Sequence, residues 1–364
     1  MGRDIHKTPF DEGTKAKLAL YENYIKEWLP VFLSRTPIYT KINIFDFFSG
    51  PGKDETGCKG SPLITIDLLQ PYLSNIIGNK QQVTLFFNDN RKKKVRTLQE
   101  HVSALNPESH AFEIICTSNE FNVAFREYLP KMSESGTANF LFLDQNGIKH
   151  ITDDVFLEII NLPATDFLFF TSSSTLSRFT DHPEIKKYID IPSHEITASN
   201  YYHIHRHVID YYWKLIPNSR EYYLAPFSIK KGANIYGLIF GTGHLLGLDK
   251  FVNQCWKLDP QTGDSNYDID QDNINPQQPS LFREFNIPKK VQLFENELEK
   301  AILKGKVKSN KDIYRYTLTS GIKPANARSV INGLIRDGKM PKQKLNVSYN
   351  SCKVGTEEQR IKLK

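Results

Sequence analysis

The chain has 364 residues, 39% hydrophobic and 24% charged, with 23 Phe and 17 Tyr, enough for a conventional core and roughly two domains, which excludes a minidomain and global disorder. No run approaches the ~18 uninterrupted apolar residues of a membrane span, and the opening MGRDIHKTPFDEG lacks the apolar stretch of a secretory signal, so a cytoplasmic protein is expected. The net charge of +6 is uneven: Ile287 to Lys364 carries 18 Lys and Arg against 7 Asp and Glu, which leaves 29 against 34 for residues 1–286.

In chain order, KAKLALYENYIKEWLPVFLSR places Leu18, Tyr21, Tyr24, Ile25, Trp28 and Leu29 at helical spacing, with Pro30 near the end, and predicts an amphipathic helix. Ile42 to Phe48 reads as a short buried strand running into Ser49-Gly50-Pro51-Gly52. After the polar KDETGCKG, Ser61 as N-cap and Pro62 at the first helical position predict a helix to about Tyr72. Strand-like runs come next at Val83–Phe87, Phe112–Cys116, Phe140–Leu143 and Phe167–Phe170, with helical patterns near Arg91–Val102, Glu120–Leu129 and Asp153–Ile160. Runs apolar on both faces predict a parallel, doubly wound sheet. Beyond a helical insertion at Ile185–Leu215, Tyr222–Ile229 and Asn234–Gly241 flank a short turn and predict an antiparallel hairpin closing that sheet.

Residues 259–286 are polar, acidic and amide-rich and read as a mobile linker between a first domain, 1–258, and a second, 287–364. In the second, helical patterns at Leu293–Leu303, Lys311–Thr319 and Ala325–Arg336 precede a twisted β-pair at Lys339–Lys353, the outline of a winged helix-turn-helix. Its excess of positive charge suits a polyanion, since neutralised phosphates release counterions; a solvated basic tail has the same composition. Asn326, Arg328, Ser329 and Asn332 are expected on the exposed side of the third helix, with Lys339, Lys342 and Lys344 in the wing: amides and arginine for bases, lysines for phosphate. A protein-docking winged helix is the alternative.

Three strand exits carry the candidate chemistry. Gly50 and Gly52 permit close backbone approach to a nucleoside, and Asp46 can accept hydrogen bonds from a ligand or orient the loop amides. Glu55 stands where the dinucleotide fingerprint needs a third glycine, and Cys58-Lys59 breaks the phosphate-loop pattern, so both nucleotide-phosphate readings fall. The turn also reads simply as a tight strand exit. Asp89, at the tip of the second strand, is placed to hold a ribose diol, although RKKK after it also fits a surface turn and a solvated helix. Asp144 and Asn146, in Asp-Gln-Asn-Gly after the fourth strand, can accept hydrogen bonds from an amine, and Asn-Gly is equally a favoured turn pair. Cys58, Cys116, Cys255 and Cys352 are too scattered for a metal knuckle, His203, His205 and His207 read as a polar helix face, and Ser172–Ser174 lack nucleophile-elbow glycines. No metal is expected.

The blocks IFDFFSGPG, GSPL at Gly60–Leu63, FLFLD at Phe140–Asp144, IYGLIFGTGH and WKLDPQTGDSNYD resemble the three-Cys-motif partner proteins (TcmP) over most of the chain. The resemblance implies a Rossmann-like class I methyltransferase sheet with a terminal antiparallel hairpin, plus a C-terminal winged helix. It also implies S-adenosyl-L-methionine near Asp46, Phe48, Ser49, Gly50, Pro51, Gly52 and Asp89, and a partner carrying three clustered cysteines. Two departures stand out: DQNG lacks the proline usual after strand four, and Thr117-Ser118-Asn119 replaces an acidic residue that often touches adenine, leaving Asn119 as the contact. The function expected is methyl transfer to DNA or RNA, with Asp144 and Asn146 orienting a base amine. The alternatives are a methyltransferase-like adaptor without chemistry, and methylation of a protein or small molecule.

Overall fold

The five runs that are apolar on both faces become the parallel strands of one sheet; four are buried as two covered faces require, and the run at Phe112–Cys116 forms a half-buried edge. The computed structural model describes residues 8–34, 37–105, 111–145, 147–179, 181–192, 194, 203–275 and 277–364. The chain divides into two compact units, 1–243 and 244–364.

In the first unit, β1 (Lys41–Asp46), β2 (Gln82–Asn88), β3 (Glu113–Thr117), β4 (Thr137–Leu143), β5 (Thr165–Thr171), β6 (Tyr223–Lys231) and β7 (Asn234–Thr242) lie in the order β3-β2-β1-β4-β5-β7-β6. β1 to β5 are parallel, and β7 runs antiparallel to both β5 and β6. This is the class I methyltransferase arrangement expected, hairpin included. The order reverses between β1 and β4, so their carboxyl ends flank the crevice where open α/β sheets bind ligands.

Helices cover both faces. α1 (Glu12–Phe32), α2 (Ser61–Leu69), α4 (Lys92–Ala104), α5 (Phe121–Met132), α6 (Asp153–Asn161), α8 (Pro183–Lys186) and α9 (Ile204–Leu215) fall on or beside the predicted helical patterns, α3 (Leu73–Gly78) and α7 (Ser173–Phe179) are additional, and residues 195–202 of the expected insertion lie outside the described residues. α5, α6 and α9 bury Phe125, Phe156 and Tyr212 against Phe45, Leu141, Phe167 and Phe169. On the other face α1 sets Tyr21 4.5 Å from Phe142 and Tyr24 4.7 Å from Phe240, ring centre to ring centre. Fully buried aromatics of this size contribute most of the apolar stabilisation, about 2–3 kcal/mol each.

Two local expectations change. β1 ends at Asp46, two residues early, because Phe47 and Phe48 already belong to the turn. The N-cap of α2 is Gly60, not Ser61, and the Ser61 hydroxyl is directed to a carboxylate instead.

In the second unit, α10 (Leu245–Leu258) packs with the helices C-terminal to it, so the boundary falls at 243/244 and not after 258. Tyr314 donates to Asp249 at 2.7 Å and the Trp256 indole to the Gly321 carbonyl at 2.9 Å, which ties α10 into this unit. The stretch read as a mobile linker is anchored at its start. Asp259 accepts from the backbone N–H groups of Gln261 (3.1 Å), Thr262 (3.2 Å) and Asp264 (3.1 Å), and Lys290 bonds Asp264 at 2.6 Å. Gly263, at φ +64°, lies so close to Trp256 that a Cβ would stand 2.5 Å from the indole. A single carboxylate collecting four amides, the Ser265 N–H at 3.4 Å included, gives the start of this polar segment its shape, and Ile269 further on is buried.

α11 (Lys289–Leu303), α12 (Asn310–Thr319) and α13 (Pro324–Arg336) are the three helices expected, each burying an apolar stripe. The β-pair predicted at 339–353 does not form; among the described residues that segment holds only a 3₁₀ turn at Tyr349–Cys352. Residues 339–346 instead run antiparallel to 359–364, partly through amide side chains. Gln343 bonds both the carbonyl (2.8 Å) and N–H (3.2 Å) of Lys362, Gln359 accepts from the Asn346 N–H (2.6 Å), and the Lys364 N–H reaches the Lys339 carbonyl (3.2 Å). On its other side 359–364 meets the α11–α12 connection, with Ile361 N–H to the Lys308 carbonyl at 2.8 Å. The segment 359–364 therefore lies between the other two as an extended stretch, bridged to the α11–α12 connection at Ser309 and Arg360. Glutamine side chains replacing backbone pairs leave no alternation for sequence periodicity to detect.

Candidate functional site

The site begins with the exit of β1. Asp46 is wholly buried; it accepts from the Ser61 hydroxyl at 2.6 Å and the Phe48 N–H at 3.1 Å. Burial raises its pKa to about 7, against the lowering effect of those two hydrogen bonds; Asp144 adds to the rise and Lys17 opposes it. Asp46 thus fixes the start of the turn and of α2. Behind it, Gly50 (φ +62°) and Gly52 (φ +87°) turn the chain in the left-handed region that glycine tolerates. A Cβ on Gly52 would lie 2.7 Å from the end of the Leu98 side chain on α4, which would have to shift, and the positive φ adds backbone strain for any other residue. The Pro51 carbonyl meets the His101 ring nitrogen at 2.7 Å.

The tips of β1, β2 and β3 are tied together by Asn88, which sequence reasoning did not single out. Its carbonyl accepts from the Ser49 N–H (2.8 Å) and hydroxyl (3.1 Å). Its side chain donates to the carbonyls of Phe47 (3.2 Å) and Asn119 (3.0 Å) and accepts from the Thr117 hydroxyl (2.8 Å) and Asn119 N–H (3.0 Å). A buried amide with donors and acceptors filled makes these three exits one rigid rim. Asp89 is the next residue, buried, with Oδ1 accepting from the Arg91 N–H at 2.9 Å. Asn119 has its backbone on the rim, while its amide reaches Glu127 at 3.4 Å. Phe48 stacks on Phe121 with ring centres 5.5 Å apart.

At the tip of β4, Asp144 is bound by Lys17, the second residue missed. Lys17 is itself buried and lies 4.9 Å from the centre of the Phe170 ring. The signal was available: Lys17, Tyr21, Tyr24 and Trp28 share one helical stripe, and a lysine within an apolar stripe needs a buried partner. Asn146 lies outside the described residues. Gln145 is buried and accepts from the His150 N–H at 2.9 Å. Burial lowers the His150 pKa.

Asp46, Phe48, Ser49, Gly50, Pro51, Gly52, Asp89 and Asn119 therefore come together, with Asp144 coupled to Asp46 by charge. A cavity of about 1130 Å³ opens among Lys41, Gln82, Thr84, Phe112 and Glu134 at the amino ends of the strands. Ligand crevices of such sheets lie at the carboxyl ends, so the rim and not this cavity is the candidate site. In the second unit Arg328 is exposed but donates to the Val347 carbonyl at 3.2 Å, and Lys339 pairs with Glu299 at 2.6 Å. Asn332, Lys342 and Lys344 are exposed and Asn326 is half-buried. Among the described residues no cluster of His, Cys, Asp and Glu fits a metal ion, and no helix is long and apolar enough to cross a membrane.

Residues 268–340 match the family described as the GMT-like wHTH domain. A comparison with curated proteins returns no match. Among solved structures, the chain is similar to Trm1 from Pyrococcus horikoshii in complex with S-adenosyl-L-methionine, at 14% identity over 68% of this chain and 62% of that one, with a TM-score of 0.36. It is similar also to the human methyltransferase 10 domain containing protein, at 12% identity over 62% of this chain and 83% of that one, with a TM-score of 0.29. The delta-N METTL16 MTase domain aligns at 8% identity over 62% of this chain and 83% of that one, with a TM-score of 0.28. The chain spans just under two thirds of the length of Trm1.

Proposed function

We propose that the chain is an S-adenosyl-L-methionine-dependent methyltransferase acting on nucleic acid, in the cytoplasm, together with a three-Cys-motif partner protein. The observation that carries the reading is the rim itself. Asn88 binds the positive-φ turn of Gly50 and Gly52 to the tip of β2, next to the buried carboxylate Asp89, on the carboxyl side of a sheet whose order reverses beside β1. Adenosylmethionine needs a diol acceptor, a close backbone approach and negative charge near a sulfonium; Asp89, Gly50 and Asp46 answer these needs in turn. When bound, it supplies a methyl group made electrophilic by the sulfonium charge. Asp144 would hold the accepting amine, with Asn146 beside it in sequence. The winged helix supports a polymer substrate. The partner rests on the TcmP-like blocks alone.

A second reading is favoured by one contact. Lys17 already neutralises Asp144 where an amine would be received, and DQNG lacks the usual proline, which fits a scaffold that binds and recruits without transferring methyl. Titration calorimetry with adenosylmethionine and adenosylhomocysteine, then transfer of labelled methyl to mixed DNA and RNA with and without the partner, separates the two. Binding with transfer supports the enzyme, binding without transfer supports the scaffold, and no heat at millimolar ligand removes the cofactor.

A further inference from the structure

Helix α13 is poorly equipped to read bases. Its cations are Arg328, whose guanidinium is held by the Val347 carbonyl, and Arg336, which pairs with Asp337 at 3.1 Å. The lysines are elsewhere. Lys306 and Lys308 lie in the α11–α12 connection, Lys342 and Lys344 in the first wing stretch, and Lys362 and Lys364 in the last, all six exposed. Among the described residues none of their side chains pairs with a carboxylate.

The fold brings these three segments side by side. The last stretch bonds the connection through Ile361 and Lys308 and bonds the first stretch through Gln343, Asn346 and Lys339. Neighbouring extended chains lie about 4.8 Å apart, so the outer two are separated by roughly 10 Å, near the Debye length of about 8 Å at physiological salt. Over that span the six charges act as one positive strip. Glu357 and Glu358 fall in the closing loop, outside the paired stretches.

We propose that this lysine strip on the wing, and not helix α13, is the surface that grips nucleic acid, by holding the phosphates of a duplex with little regard to sequence. The inference rests on the polymer-substrate reading above and gives that substrate its mode of engagement: duplex backbone, through charge. Phosphate contacts fix position and carry no sequence information, and their number sets the salt dependence.

The test uses the full chain and fluorescence anisotropy with labelled DNA and RNA duplexes of matched and scrambled sequence. The quadruple variant K342Q/K344Q/K362Q/K364Q is expected to lose at least tenfold in affinity and to flatten the log–log salt slope by about 3 to 4. The variant R328A/N332A should change affinity less than about threefold, and scrambled duplex should compete as well as matched. The DNA and RNA arms identify which backbone is held. Because a quadruple variant can misfold, thermal unfolding accompanies it, and acetylation of the wild type tests the strip independently: duplex must protect these lysines. Loss confined to R328A/N332A, absence of protection, or strong preference for one sequence overturns the strip while leaving the polymer reading intact. A wild type that binds neither duplex at low salt overturns both.

Discussion

In the first unit the charges at the strand tips are individually held: buried Asp46 by Ser61 and the Phe48 amide, buried Asp89 by the Arg91 amide, and half-buried Asp144 by the buried Lys17. In the second unit, six lysines stand exposed along the wing. Each buried charge has a fixed direction and scarcely feels salt; the exposed ones have long reach and are screened within a nanometre. The difference teaches where discrimination and where attraction are to be sought. The carboxylate rim suits a small ligand, and the lysine strip suits a long polyanion.

The sharpest way to break this comparison is salt. With about six phosphate contacts, raising salt from about 50 to 200 mM should weaken duplex binding by roughly a thousandfold, while adenosylmethionine affinity, measured by calorimetry in the same buffers, should move less than about threefold. Equal sensitivity in both would erase the distinction. Next in size is Asp144→Ala, which strands the buried Lys17 ammonium and should lower stability by about 3 kcal/mol in urea unfolding. Adding Lys17→Met should restore most of that loss, since the replacement keeps contact with Phe170. If the double variant is as unstable as the single, the contact is not an ion pair that matters.

Removing the β2 carboxylate by Asp89→Ala should weaken adenosylmethionine by about tenfold in calorimetry and change stability by only about 1 kcal/mol. The last test is pH. Because burial raises the Asp46 pKa from 3.8 to about 7, its contribution to stability is full below pH 4 and is lost as pH rises through 7. A sulfonium beside it favours the ionised form, so adenosylmethionine affinity should rise between pH 6 and 8, by up to about tenfold, whereas adenosylhomocysteine, without that charge, should stay level. Parallel profiles would place the sulfonium away from Asp46.

Much of the first unit was legible because Val, Ile, Leu and Phe continue through both faces of the central strands, and because Asp46, Gly50 and Asp89 sit at their exits. What escaped was held by distance in sequence. Lys17 meets Asp144 across 127 positions, and Asn88 joins residues from three different strand exits. Ser61 fits an N-cap by type and yet faces a carboxylate fifteen residues earlier. Residues 259–265 read as linker because Asp259 organises them through amides, and the wing escaped because Gln343 and Gln359 stand in for backbone partners. Pairing by side-chain amides leaves composition unchanged and periodicity silent.

The docking of α1 also bears on how the chain comes off the ribosome. Tyr21 and Tyr24 find their ring partners in Phe142 and Phe240, the second of them roughly two hundred residues further on. At a synthesis rate of about 5–20 residues per second, the Tyr24 ring waits on the order of ten seconds or more for Phe240, whereas the Tyr21 hydroxyl has Thr65 as a partner much earlier. The end of α1 that meets the late hairpin therefore stays open to a chaperone for that interval.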